Sequence, residues 1–345
     1  MKILVGMSGG VDSAYCAMKL KSLGHTVEGA FLILHGDSDL ADASASAESI
    51  GIPFHIIDCR IDFERIVKDN FVNEYKNGRT PNPCVICNER VKLRKLLDYA
   101  LQYGFDAIAT GHYARIEQLD NGRYAVRSAL DLKKDQSYML SRLPQDILFH
   151  LVLPMSDEVK TEIRHRAADA GIPVARRKDS MEICFIEEGK YTDYIEERLG
   201  RFPEGDFVDS QGSVIGRHKG ISHYTVGQRK GLGVSLGSRA FVRSIDPVSH
   251  RIELCLSSEG QREITLADTV LMGIAKPTET ARIRGEVKLR YSARSLGCEA
   301  LITVNNGEVS KVRIITDEPV PFVTPGQSAV VYSDGVVLLS GFIEG

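Results

Sequence analysis

The chain has 345 residues, with 43 basic and 46 acidic side chains and a formal charge of −3. At roughly 100–200 residues per domain, that length predicts two or three domains. Hydrophobic residues make up 43% and charged ones 26%, a globular balance that argues against disorder. No run approaches the ~20 apolar residues of a membrane span. The start, Met1-Lys2-Ile3-Leu4-Val5-Gly6, lacks the apolar stretch of ~7–15 residues of a secretory signal. A cytoplasmic protein with no membrane partner is expected. Seven cysteines without regular spacing argue against a disulfide-stapled secreted scaffold. A slightly acidic chain cannot bind nucleic acid by global charge, so any RNA site must be a local patch.

Through residue 188 short apolar runs alternate with helical patterns. Strands are expected at 3–6, 27–34, 54–58 and 106–110, and helices at 11–23, 40–50, 61–75 and 88–103. Such alternation predicts a doubly wound parallel sheet with helices on both faces. Asn121-Gly122, between runs at 114–119 and 124–128, predicts a hairpin with a type I′ turn. A helix over 157–170 is expected to start on Ser156 as N-cap and end at Gly171, with Pro173 beyond. Another over 191–199 closes at Gly200. From about residue 206 short alternating strands take over, among them 280–291 and 299–304, with turns at Asp246-Pro247, Asn306-Gly307 and Asp334-Gly335. The expected organisation is multidomain α/β + β. A doubly wound domain covers 1–188, a small central domain 189–258, and a C-terminal β-barrel or sandwich 259–345.

The first strand runs into Ser8-Gly9-Gly10-Val11-Asp12-Ser13 and then a helix. Adjacent glycines let the backbone turn with positive φ and approach a ligand closely. The helix N-terminus favours an anion, and Ser8 and Ser13 add hydroxyl donors. This is a phosphate cradle, but no Gly-Lys-Ser/Thr follows, so it is not the Walker type. The missing lysine suggests that a pyrophosphate leaving group is held there. Gly6-Met7-Ser8-Gly9-Gly10 also matches the G-x-S-x-G elbow of serine hydrolases. That elbow needs several strands upstream, and only five residues precede Gly6.

Cys84 and Cys87 form a C-x-x-C within Thr80-Pro81-Asn82-Pro83-Cys84-Val85-Ile86-Cys87-Asn88. A helix starting at Asn88 would hold both sulfurs at its positive end, which is expected to lower their pKa and favour thiolate. Cys184 follows the basic run Arg176-Arg177-Lys178, where nearby cations would act the same way. A structural zinc site would need further ligands, with only Cys184 or a histidine such as His112 to supply them. A thioredoxin-like pair lacks its fold context. Cys16, Cys59, Cys255 and Cys298 stand alone in apolar or strand-like segments and read as small hydrophobes.

Ser8 through Ser13 resembles the PP-loop of N-type ATP pyrophosphatases, which cleave ATP to AMP and pyrophosphate on an adenine-nucleotide alpha-hydrolase-like fold. Over nearly its full length the chain resembles the tRNA-specific 2-thiouridylases. The resemblance rests on Gly6-Met7-Ser8 through Ser13, Gly78-Arg79-Thr80-Pro81-Asn82-Pro83, Ala109-Thr110-Gly111-His112-Tyr113 and Lys134-Asp135-Gln136-Ser137-Tyr138. Ile183-Cys184-Phe185-Ile186, Tyr224 through Gly233 and Thr324-Pro325-Gly326-Gln327-Ser328-Ala329 complete it. It implies ATP-dependent thiolation of the wobble uridine of tRNAs for Lys, Glu and Gln, with Mg²⁺ on the phosphates. It implies ATP contacts from Gly6, Met7, Ser8, Gly9, Gly10, Val11, Asp12, Ser13, Leu32 and Gly111. A persulfide on Cys184 and a nucleophile at Cys87 are implied, with a transient disulfide between them. Asn82, Pro83 and Cys84 would lie beside the target base. His112, Lys134, Asp135, Gln136, Arg290, Tyr291 and Gln327 would contact tRNA. The sulfur donor would be a cysteine desulfurase, a sulfur-relay protein or inorganic sulfide.

Two departures stand out. The family commonly carries aspartate where this chain has Cys84. Cys84, Cys87 and Cys184 would instead supply three thiolates, suited to a [4Fe-4S] cluster with one open iron. After Leu32 the family often has an Asn-Trp and a longer acidic insertion, whereas this chain has Ile33-Leu34-His35-Gly36-Asp37 and no tryptophan. Two basic windows are candidate RNA patches: 217–243 has six basic residues and no acidic one, and 280–294 has five against Glu286. Two other readings are a PP-loop synthetase acting on a small molecule and a non-catalytic tRNA-binding sulfur or Fe–S carrier. The first leaves the cysteines and the two β modules unexplained, and ATP–pyrophosphate exchange would exclude the second.

Overall fold

The computed structural model describes residues 1–36, 39–176, 183–186, 191–234, 239–257 and 260–345. In chain order come β1 (Lys2–Gly6), α1 (Val11–Ser22), β2 (Thr26–Ile33), α2 (Leu40–Ile50) and β3 (Phe54–Asp58). Helical stretches over 60–76 and 83–102 lead to β4 (Ala107–Thr110), the hairpin strands β5 (Ala114–Gln118) and β6 (Tyr124–Ser128), and β7 (Leu151–Val152). The five strands β3-β2-β1-β4-β7, in that order, form a parallel sheet. β1 shows why helices cover both faces. Ile3 and Val5 pack with Val11, Ala14, Ala17 and Leu20 of α1, while Leu4 packs with Leu93, Leu96 and Leu97 of the second long helix. A strand buried on both faces must be apolar throughout, and this one is.

Three local expectations are corrected. The second long helix begins at Pro83, not at residue 88, because proline at the first helical position is already set for the turn and gives up only an N–H that would be orphaned. The hairpin turn has positive φ only at Gly122, and the Gly122 N–H donates to the Leu119 carbonyl. A type I′ turn would also need Asn121 left-handed. Asn306-Gly307 and Asp334-Gly335 do have positive φ at both residues. The helix expected at 157 begins at Lys160, without a capping side chain. Glu158 is instead drawn to Lys19 and Arg166, and Lys160 to Asp12. Gly171 and Gly200 end their helices in left-handed conformation, as expected.

β8 (Gly205–Val208), β9 (Val214–His218), β10 (Phe241–Asp246) and β11 (Arg251–Cys255) make a separate sheet ordered β10-β11-β8-β9. The last six strands are β12 (Gln261–Leu271), β13 (Ala281–Lys288), β14 (Leu296–Asn305), β15 (Glu308–Val320), β16 (Ser328–Ser333) and β17 (Val336–Ile343). They run β12-β15-β14-β13-β16-β17 and close through a β12–β17 pairing, an antiparallel barrel without free edges. The β5–β6 hairpin joins the barrel sheet through β17, so strands from the nucleotide-domain segment extend the barrel. Among the described residues no helix is long and apolar enough to cross a membrane.

A buried arginine fastens the barrel to the second long helix. Arg142 is 1% exposed, donates to Glu89 on that helix at 2.8 Å and to Asp268 of β12 at 2.8 Å, and stacks on Phe342 of β17. Removing one partner of such a pair leaves an uncompensated charge. Arg142→Met is expected to lower the stability of the first unfolding transition by about 3 kcal/mol in urea titration. An unchanged midpoint would contradict the assignment.

Candidate active site

The order of strands reverses between β1 and β4, and open α/β sheets leave a crevice at that point. A cleft of about 320 Å³ lies there, lined by Gly6, Met7, Ser8, Asp12, Ser13, Leu32, Thr110, Gly111, His112 and Gln136, together with Lys92 and Cys184. The Ser13 hydroxyl accepts from the Ser8 N–H at 3.1 Å and donates to the Gly10 carbonyl at 2.9 Å, which folds the loop over the N-terminus of α1. Gly9 has φ +77°, and a Cβ there would lie 2.7 Å from the Asp39 carbonyl oxygen. A Cβ on Gly111 would meet the Asp12 carbonyl and the Ser13 nitrogen at 2.8 Å. The backbone leaving β4 therefore rests on the first turn of α1.

Not every residue of the loop faces the cleft. Val11 is buried in the core under α1. Asp12 lines the cleft, but its carboxylate accepts from the Tyr113 hydroxyl at 2.7 Å and pairs with Lys160. It anchors α1. His112 sits beside the Thr110 hydroxyl at 2.8 Å; burial, helped by the Lys92 charge, pushes its pKa down to about 3. It is a neutral imidazole facing the nucleotide cleft.

Cys84 and Cys184 are exposed and Cys87 is buried. Cys184 lies in the turn 183–186, closed by the Ile186 N–H to the Ile183 carbonyl. Its neighbour Phe185 anchors that turn against Phe63 and Phe71 and the apolar cluster holding Cys87. The expected thiolate character does not hold at Cys87 or Cys184. Burial pushes the Cys87 thiol up to about 12, against the opposing Lys92 charge. The Cys184 residue is exposed, yet the protein packed around its sulfur desolvates the thiol and raises its pKa as well, again opposed by Lys92. The helix terminus cannot offset burial once the helix starts at Pro83 and Cys87 falls inside it. Arg177 and Lys178 lie outside the described residues.

Several residues for which the resemblance implies tRNA contacts take part in bonds within the protein. The Gln327 amide donates to the Thr80 and Pro81 carbonyls at 2.9 and 3.1 Å, and Thr80 N–H donates to the Pro325 carbonyl. Thr80 also meets Thr225 at 3.2 Å. Arg290 donates to the Val226 carbonyl and to Thr324. Asn82 is 8% exposed and bonds Tyr138. Asp135, buried, accepts from the Ala129 and Ser137 N–H groups and the Ser137 hydroxyl. Four motifs distant in sequence thus meet in one joint above the C-x-x-C. Tyr291 is exposed, and Lys134 is only partly buried.

The basic windows differ. In 280–294, Arg282, Arg284 and Arg294 pair with Glu299, Asp317 and Glu318, so that patch is largely neutralised. Of the lysines and arginines in 217–243, only Arg217 and Arg243 have acidic partners among the described residues, leaving exposed Lys219, Arg229, Lys230 and Arg239. Sequence reading missed Lys92 and Phe185. Lys92 looked like one more basic residue on an amphipathic helix, and Phe185 sat inside a recognised motif without an assigned task.

Three family models cover the chain and define its class. A tRNA methyl transferase HUP domain matches residues 1–188, a tRNA methyl transferase PRC-barrel domain 192–255, and an aminomethyltransferase beta-barrel domain 261–343. Curated relatives narrow this. The tRNA-specific 2-thiouridylase MnmA of Acetivibrio thermocellus is 39% identical over 361 residues, covering 99% of each chain. That of Clostridioides difficile is 38% identical over 359 residues, 99% of this chain and 98% of the relative. MnmA 1 of Clostridium botulinum Loch Maree is 41% identical over 366 residues, 99% of each. The chain belongs to the tRNA-specific 2-thiouridylase family.

Gly111→Ala is expected to weaken ATP binding at least tenfold in calorimetry, because the new Cβ drives β4 away from α1; an unchanged Kd would contradict this packing. At pH 8, iodoacetamide followed by peptide mass spectrometry should label Cys84 and Cys184 well before Cys87. A raised thiol pKa keeps the unreactive neutral form, so Cys87 labelling should increase with pH across the whole folded range. Early labelling of Cys87 would contradict its burial.

Proposed function

We propose that this protein is an ATP-dependent sulfurtransferase acting on the wobble uridine of tRNAs for Lys, Glu and Gln. One observation carries the reading: Cys184 lines the same cleft as the phosphate loop and Gly111. A sulfur-bearing residue next to the nucleotide suits displacement of an adenylated oxygen. The methyl transferase wording of two family models is set aside, because full-length relatives are thiouridylases and a PP-loop with cysteines suits thiolation.

The uridine C2 oxygen is a poor leaving group until it attacks the ATP α-phosphorus and expels pyrophosphate. Ser8, Ser13 and the N-terminus of α1 would hold the phosphates. Mg²⁺ would be held chiefly by those phosphates, with Asp12 and Asp39 as cleft carboxylates, and would neutralise their charge. Cys184 carries the sulfane sulfur. The Cys87 thiolate attacks the Cys184 sulfur; its S–S bond to the outer sulfur breaks, and a Cys87–Cys184 disulfide forms. The expelled hydrosulfide takes the electron pair, adds to C2, and AMP departs with the C–O bond pair. Two cysteine sulfurs are oxidised as one sulfane sulfur is reduced, and an external thiol reductant resets the disulfide. The Cys87 proton leaves to solvent before the attack, since no carboxylate acts on that thiol among the described residues.

The three cysteines do not fit an iron–sulfur cluster as they stand. Among the described residues no group of three His, Cys, Asp or Glu side chains is placed to hold a metal. A desulfurase, a relay protein or inorganic sulfide would load Cys184, whose exposed position suits delivery from outside.

Nucleoside mass spectrometry on unmodified tRNA-Lys, with ATP, Mg²⁺ and a persulfide source, tests this. Iron-free protein should form 2-thiouridine, and Cys184→Ser should form none. Activity only in protein reconstituted with stoichiometric iron would overturn the persulfide route, and no 2-thiouridine under either condition would overturn the substrate. For RNA, Arg229→Ala with Lys230→Ala is expected to weaken tRNA binding and reduce the log–log salt slope by about 1–2. An unchanged slope would contradict the patch.

A further inference from the structure

Lys92 occupies the place where the nucleotide cleft meets the cysteines. It lines the cleft with Ser8, Ser13 and Gly111 on one side and Cys184 on the other. Residues 88–92 form a single π-helical turn, whose i→i+5 spacing carries residue 92 toward the face of Cys87, one residue beyond the α-helical position. Such turns are rare and concentrate at functional sites. Asn88, bonded to the Met139 carbonyl at 3.1 Å, and Glu89, paired with buried Arg142, pin the turn from outside.

The surroundings of the ammonium are unusual. The groups that act on its charge are the sulfurs of Cys84, Cys87 and Cys184; nearby, burial lowers the pKa of His112, helped by Lys92, and that of His35, helped by Lys68 and more weakly by Lys92. Asp12 and Asp39 share the cleft, but Asp12 is paired with Lys160, and no carboxylate pairs with Lys92 among the described residues. Burial works against its charge, yet the three sulfurs together hold its pKa above the ordinary lysine value. A largely desolvated cation without a carboxylate is costly unless an anion arrives.

We propose that Lys92 is the shared counter-cation of the cysteine trio, neutralising the persulfide on Cys184 and then the Cys87 thiolate and the expelled hydrosulfide. In this chain Cys84 replaces the family's usual carboxylate, so a single ammonium serves three sulfurs, and among the described residues no acidic group is paired with it. The proposal deepens the thiolation reading and rests on it, but its primary test needs neither tRNA nor ATP.

The test is the pH profile of iodoacetamide alkylation at Cys184, read by peptide mass spectrometry, in the wild type, Lys92→Gln and Lys92→Arg. Lys92→Gln is expected to move the Cys184 midpoint to higher pH and slow labelling about tenfold at pH 8, while Lys92→Arg retains the wild-type profile. Lys92→Met, closer in shape, repeats the measurement should the glutamine variant fail to fold. Superimposable profiles in the charge-removed variants would overturn the proposal, whatever the thiolation assay shows. Failure of the wild type to thiolate tRNA would overturn the thiolation reading instead, and a shifted Cys184 profile would still support the counter-cation.

Discussion

The contact between Gly111 and the first turn of α1 is the constraint on which the site depends. Backbone lies on backbone there, with no room for a Cβ. It forces β1 and β4 to end side by side, so that the chain leaving one turns into the phosphate loop and the chain leaving the other into His112 and Tyr113. The cleft is what remains between them. Tyr113 and Lys160 then hold Asp12, so the helix terminus offered to phosphate is locked before any ligand arrives.

Around that opening the protein gathers its sulfur chemistry by packing. Phe185 seats the Cys184 turn on Phe63 and Phe71, and the π turn turns Lys92 toward the sulfurs. In the proposed reaction a buried thiol at Cys87 and an exposed one at Cys184 would divide the labour. The accessible sulfur would be loaded from outside, and the protected one would react once its proton is lost beside a cation. The barrel and central module contribute from a distance, since Gln327, Thr225 and Pro325 brace the segment that leads into Pro83, and Arg290 ties Val226 to Thr324 behind them. Gln327 and Asn82, for which the resemblance implies contacts with tRNA, also belong to the joint that leads into the C-x-x-C.

Much of the fold was readable from periodicity. β1 is apolar at every interior position, α2 and β3 fall where the pattern puts them, and the Gly-Gly loop follows a strand and opens a helix. The misreadings share a cause, namely that tertiary partners outvote local signals. Ser156 is a good cap in isolation but lost its helix start to ion pairs of Glu158 and Lys160. Cys87 looked like a helix-terminal thiolate, yet burial decides its protonation. Arg282, Arg284 and Arg294 counted as a patch until the neighbouring strands supplied Glu299, Asp317 and Glu318. Lys92 was invisible because no linear spacing announces a π turn.

The central claim is that the uridine oxygen leaves as part of AMP from the cleft at the β1–β4 switch point. Unmodified tRNA carrying ¹⁸O at C2 of the wobble uridine, incubated with the protein, ATP, Mg²⁺ and a persulfide source, tests it directly by mass spectrometry of the small-molecule products. The account predicts one ¹⁸O in each AMP formed with 2-thiouridine and none in pyrophosphate. Unlabelled AMP alongside 2-thiouridine would contradict it.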